Sequence, residues 1–142
     1  MYKDILLTLD LADPAASRRP LEVGIAQAQA FGSILHVMTV VPDFGMSIVG
    51  NFFPADHETR TLEAVRQRLH AFTAEWIPQG LKVQHIVAHG TAYEQILQIA
   101  ERIRCDLIVM GANRPDMKDF LLGPNAARVV RHAGCSVLVV RD

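Results

Sequence analysis

The residues whose types and spacing could do chemistry concentrate in one stretch, from Gly111-Ala112-Asn113-Arg114 to Gly123-Pro124-Asn125-Ala126. It follows the apolar run Asp106-Leu-Ile-Val-Met110, which reads as a buried parallel strand, and it leads into Ala126–His132, which reads as a helix. A strand, a glycine-bearing loop and a helix start make a place to hold an anion. N–H groups point out of the first helical turn, and glycine lets a ligand approach the backbone closely. Arg114 adds a guanidinium able to make charge-assisted bonds to a phosphate, and Asn125 can cap the helix or donate its amide. Pro124 offers neither an N–H nor a hydroxyl.

Other chemistry is sparse. The histidines are His36, His57, His70, His85, His89 and His132. His85 and His89 fall on one face of a strand but ~13 Å apart, too far to share a metal. No pair has the helical spacing and carboxylate partner of a zinc site. Ser17, Ser33, Ser47 and Ser136 lack a nucleophile-elbow context. There is no P-loop and no Gly-x-Gly-x-x-Gly after the first strand, which argues against P-loop NTPases and dinucleotide dehydrogenases. Asp116 and Asp119 are candidates for a general base by proximity to the loop only. Cys105 and Cys135 each precede an apolar strand and read as reduced packing residues.

The elements that must position the loop alternate strictly. Ile5–Leu9 is an apolar run ending at Asp10. Asp13-Pro14 starts a helix that carries Leu21, Ile25, Ala28 and Phe31 on one face and stops at Gly32. Ser33–Val41 is a second strand, ended by Pro42. Asp43–Asp56, with Phe44, Met46, Phe52 and Phe53, lacks periodicity; it reads as a long excursion, either folded on its own subunit or serving as a lid or partner surface. Leu62, Val65, Leu69, Phe72 and Trp76 mark a second helix, and Leu81–Val87 alternates as a strand. Tyr93, Ile96, Leu97, Ala100 and Ile103 mark a third helix. The strand ending at Met110, a fourth helix and the strand Ser136–Arg141 complete the chain. Five strands and four helices in β-α-β order imply an α/β fold, a Rossmann-like parallel sheet covered on both faces. Ligands bind such sheets at the carboxyl ends of the strands, so Asp10, Val41, Gly90 and Gly111 should cluster.

Composition bounds the rest. The 142 residues suit one domain, and a net charge of -1 leaves no positive excess for nucleic acid or an anionic membrane surface. No apolar run approaches the ~20 residues that span a bilayer, and the N-terminus lacks a signal-peptide pattern, so a cytoplasmic location is expected.

The ordered landmarks resemble the universal stress protein family over almost the whole chain, residues 1–142 forming a single such domain. They are the strand ending in Asp10, Val40-Val41-Pro42, Gly90-Thr-Ala, Asp106–Gly111, Leu121-Leu-Gly123 and Arg131–Arg141. The Asn113-Arg-Pro-Asp run with Leu-Leu-Gly and Asn-Ala-Ala is closest to the small bacterial subgroup labelled by the letters F and G. The resemblance implies strand order 3-2-1-4-5 and a homodimer pairing its terminal strands, residues 136–141. It also implies ATP or another adenine nucleotide, with Mg²⁺ alongside the phosphates. Adenine would lie by Leu9, Asp10 and Val41, and the phosphates by Gly111, Ala112, Asn113, Arg114, Gly123, Pro124, Asn125 and Ala126. Many members carry glycine, two residues, glycine, nine residues, glycine, then serine or threonine. Here Gly111 and Gly123 match, Arg114 takes the second glycine position, eight residues separate Arg114 from Gly123, and Pro124 replaces the hydroxyl residue. Three readings stay open: a nucleotide-binding sensor without efficient catalysis that acts on an unknown protein partner, a nucleotide-free interaction module, and a slow ATPase or self-phosphorylating protein.

Overall fold

The structure, a computed structural model, describes residues 1–42, 57–112 and 123–141. The strands are β1 (Asp4–Thr8), β2 (Ile34–Val41), β3 (Val83–His89), β4 (Leu107–Gly111) and β5 (Ser136–Val140). The helices are α1 (Pro14–Phe31), α2 (His57–Ala74), α3 (Ala92–Arg102) and α4 (Pro124–His132). All strands run parallel in the order β3-β2-β1-β4-β5. The apolar excursion containing Phe44, Met46, Phe52 and Phe53 lies outside the described residues.

Burial on both faces explains why the central strands are apolar without alternation. Ile5 and Leu7 of β1 stand in register with Leu35 and Val37 of β2 and with Leu107 and Val109 of β4. This face packs under Leu21, Ile25 and Ala28 of α1 and Leu69 of α2. The alternate residues Leu6, Met38, Ile108 and Met110 face the other way, under Ile96, Ile99 and Ala100 of α3 and Ala126 and Val129 of α4. The chain thus winds one way from β1 through β2 to β3 and the other way through β4 and β5, which puts the switch point beside β1.

Local signals set the element ends. Pro14 occupies the first helical position of α1, Asp13 caps it through Oδ1 on the Ala16 N–H (3.3 Å), and Gly32 ends it in the left-handed region at φ 64. β3 begins two residues later than Leu81, because the turn at Gly80 (φ 91) and the Leu81 N–H bond to Pro78 O come first. α4 starts at Pro124 rather than Ala126, since proline's missing N–H is one the first turn does not use. Gly90, after β3, sits at φ 130 and donates its N–H to Val41 O (2.9 Å), which fixes the distance between the ends of β2 and β3. Among the described residues no helix is long and apolar enough to cross a membrane.

Candidate functional site

A cavity of about 310 Å³ opens at the carboxyl ends of β1, β2 and β4, at the switch point. Its floor is formed by the strand ends at Thr8 and Leu9, Thr39 and Val40, and Met110 and Gly111. Its walls are the N-terminal turns of α1, α3 and α4. Such volumes lie at the small end of the range that holds small molecules.

The three helix starts are not equivalent. At α1, Asp13 fills the first turn with its own carboxylate. At α3, Thr91 makes no side-chain cap; Asn125 reaches across from α4 and accepts the Tyr93 N–H through Oδ1 at 3.2 Å. At α4 the cap residue is Gly123, with no side-chain bond to the turn. Its N–H is already given to Ala112 O at 2.7 Å, and Pro124 has none. Among the described residues nothing accepts the helix N–H groups of Asn125 and Ala126, which form the positive end of a macrodipole at the cavity. The Asn125 carbonyl must face the Tyr93 donor, so its NH₂ is the half left over for a ligand.

Glycine suits position 123 by proximity: a Cβ there would lie 3.2 Å from Ala112 O, a tight contact with backbone. Gly111 is roomier, with a Cβ meeting Pro20 Cγ at 3.5 Å, an ordinary contact. A longer side chain at Gly111 would intrude on the cavity both residues line.

The β1–α1 end is acidic and tightly wired. Ser17, buried, accepts the Asp10 N–H (3.0 Å) and donates its hydroxyl to Asp10 O (2.9 Å). Asp10 Oδ1 accepts the Ala12 N–H at 3.0 Å in a local turn. Asp10 and Asp13 both line the cavity, whose lining includes no Lys, Arg or His among the described residues. Pro20, inside α1, cannot donate to the Ala16 carbonyl one turn back; both residues line the cavity.

The structure brings Leu9, Asp10, Gly111, Ala112, Gly123, Pro124, Asn125 and Ala126 together around this cavity. Val41 stands beside it: Val40 and Pro42 line it, while the Val41 carbonyl holds Gly90. Asn113, Arg114, Asp116 and Asp119 lie outside the described residues. Sequence reading missed Asp13, Ser17, Pro20, Thr39 and Ile96 as lining. A usable signal existed for Ser17: it sits one turn into a helix that begins directly after a strand end, so its hydroxyl faces back toward that end.

The histidines and cysteines make their own contacts. His36, buried, meets Asp4 Oδ1 (2.9 Å) and Gln84 Oε1 (2.6 Å). His85 stacks on His70 with centroids 3.7 Å apart and bonds Thr73 Oγ1 at 2.9 Å. Burial, then the neighbouring His70 and Arg66, lower its pKa to about 4. No group of three or more His, Cys, Asp or Glu able to hold a metal occurs among the described residues. Cys105 and Cys135 are free thiols with sulfurs 3.8 Å apart, and burial raises both pKa values.

A doubly wound parallel sheet with a cavity at its switch point, walled by three helix starts, defines a Rossmann-like α/β domain. The chain belongs to the universal stress protein family, whose model matches residues 1–141. It is 28% identical over 144 residues to universal stress protein G of Escherichia coli O157:H7, covering 99% of this chain and 100% of that one. It is 33% identical over 145 residues to a Thermus aquaticus universal stress protein, covering 99% and 100%. Among solved structures it matches UspA from Lactobacillus plantarum at TM-score 0.73 and 24% identity, covering 99% of this chain and 98% of that one. A universal stress protein in complex with cAMP matches at TM-score 0.68 and 18% identity, covering 98% of this chain and 97% of that one. One from Archaeoglobus fulgidus in complex with dAMP matches at 0.65 and 17%, covering 97% of each.

Proposed function

We propose that this chain is an adenine-nucleotide-binding stress-response and signalling module, taking ATP or a relative with fewer phosphates, without efficient catalysis. The observation that carries the reading is the uncapped start of α4, which opens into the switch-point cavity while the starts of α1 and α3 are filled. The phosphate end lies against Gly111, Ala112 and Gly123–Ala126, and the sugar and base lie toward Leu9 and Asp10. Asp10 and Asp13 supply acceptors of the right class for ribose hydroxyls. They are also hard oxygen donors suited to a Mg²⁺ carried in by the phosphates. Asn113 and Arg114 would close over the phosphates from the loop, and Val41 would support the base from behind Val40. Two proteins of this fold were solved with cAMP and dAMP, which supports an adenine nucleotide as the ligand class.

The protein acts, in this reading, as a cytoplasmic homodimer. β5 is an edge strand whose middle residues are half-buried by its own chain, and pairing with a second copy would remove the edge. Nucleotide binding would change what the dimer presents to an unidentified protein partner.

The test is to purify the protein without added nucleotide, denature it and identify released small molecules by chromatography and mass spectrometry, with sedimentation on the intact sample. An adenine nucleotide near one per chain is expected, on a dimer. A protein that is empty and also fails to bind added nucleotide would sink the reading. A second reading, a nucleotide-free interaction module, is favoured by Pro124 and by the acidic lining. A turnover assay at buffer background alongside tight binding would exclude the slow ATPase.

A further inference from the structure

We infer that Cys105 and Cys135 form a reversible thiol–disulfide couple, oxidised by a small disulfide such as oxidised glutathione, whose bond clips β4 to β5. The two sulfurs lie 3.8 Å apart in the fold, although the residues stand 30 positions apart in the chain. The parallel register that sets Leu107 beside Ser136 brings together the residues just before β4 and β5. A disulfide holds its sulfurs ~2.05 Å apart, so closure asks for a movement of less than ~2 Å, shared between two side chains. These are the only cysteines of the chain, so no other thiol of the same chain competes for either.

Exposure separates their roles. Cys105 is buried, while Cys135 is half-buried. Beside Cys135, a Cβ at Gly134 would meet nothing within 4 Å among the described residues, which leaves room for an incoming disulfide. The Cys135 thiolate attacks one sulfur of the oxidant, forms a mixed disulfide and expels one glutathione thiolate. The Cys105 thiolate, already in contact, attacks the Cys135 sulfur and expels the second. The protein sulfurs give up two electrons to the oxidant, and their two protons end on the two glutathione thiols. Burial raises the pKa of both cysteines, which slows the first attack. The second step is intramolecular between sulfurs already in contact, so it outruns release of the mixed disulfide by free thiol. In a reducing compartment a couple of this kind opens again instead of standing as a fixed bond.

The test is to bring the reduced full chain to equilibrium with oxidised glutathione, quench it with acid, alkylate the unfolded chain and read intact mass and linked peptides. The expected product carries a Cys105–Cys135 link within one chain, no alkyl group and no glutathione, and excess reduced glutathione restores the dithiol. The link closes a loop of 30 residues, so the oxidised protein should melt roughly 5–10 °C above the reduced one. Cys105→Ser should accumulate glutathione on Cys135, because no thiol remains to displace it. A parent chain that stays a dithiol at equilibrium, keeps glutathione on either cysteine or links to a second chain overturns the inference, and that result does not depend on the variant folding. An oxidised protein that melts no higher than the reduced one overturns the clip.

Discussion

Asn125 has two separable jobs, and two substitutions pull them apart. Its Oδ1 accepts the Tyr93 N–H at 3.2 Å and so caps α3 from another helix, while its NH₂ is left for the cavity. Asn125→Ala removes both. Loss of a cap costs about 1 kcal/mol, which for a chain of 142 residues lowers Tm by roughly 3 °C. Loss of one donor to a phosphate costs about 1.5–3 kcal/mol, roughly tenfold or more in affinity. Asn125→Asp keeps the acceptor for Tyr93 and places a carboxylate in the first turn of α4, worth about 0.3–1 kcal/mol of added helix stability. It also sets a negative charge against the ligand in a cavity already lined by Asp10 and Asp13. At ~4 Å and an effective dielectric of ~20 that repulsion approaches 4 kcal/mol. The aspartate protein should therefore melt at or slightly above the parent temperature yet bind nucleotide at least about a hundredfold more weakly, below even the alanine protein. Thermal unfolding followed by calorimetry and nucleotide titration of both variants reads the two effects. An aspartate variant that binds nucleotide like the parent would refute the placement of phosphate at α4.

Further outcomes follow from the same contacts. Gly90→Ala should cost about 1–3 kcal/mol in chemical denaturation, because Gly90 holds φ 130 and a Cβ would also press on Gln95 Nε2 at 3.1 Å. Unchanged stability would mean the β2–β3 end is not fixed as described. His85, with its pKa lowered to about 4 in the fold, takes up a proton more readily when unfolded. Its contribution is therefore complete above its ordinary pKa of 6.5 and is lost as pH falls from there toward 4. Comparison of parent and His85→Gln unfolding across that window should show a shallower acid dependence in the variant. Burial holds Cys105 and Cys135 as neutral thiols, so both should react slowly with a thiol reagent at neutral pH and rapidly once unfolded. Fast native labelling would contradict their packing.

The sequence by itself determined the alternation of strands and helices and the identity of most core residues. Apolar runs such as Ile5–Leu9 and Leu107–Met110 have no polar face to leave in water, which demands a sheet covered on both sides. It also marked the caps at Asp13 and Gly32, because those rely on bonds within a few residues. Ordered motifs carried the family resemblance, which the family match over residues 1–141 bears out. The start of β3 was misplaced by two residues, since the alternation of Leu81–Val87 does not say where the turn at Gly80 releases the chain. Only the tertiary structure decided which helix start at the cavity is open. That depends on a bond from Asn125 to Tyr93, 32 positions away, on Gly123 meeting Ala112 across the loop, and on Asp13 turning back on its own helix. Local patterns record that a residue can cap a helix; the packing of α3 beside α4 decides which helix it caps, and so where an anion can be held.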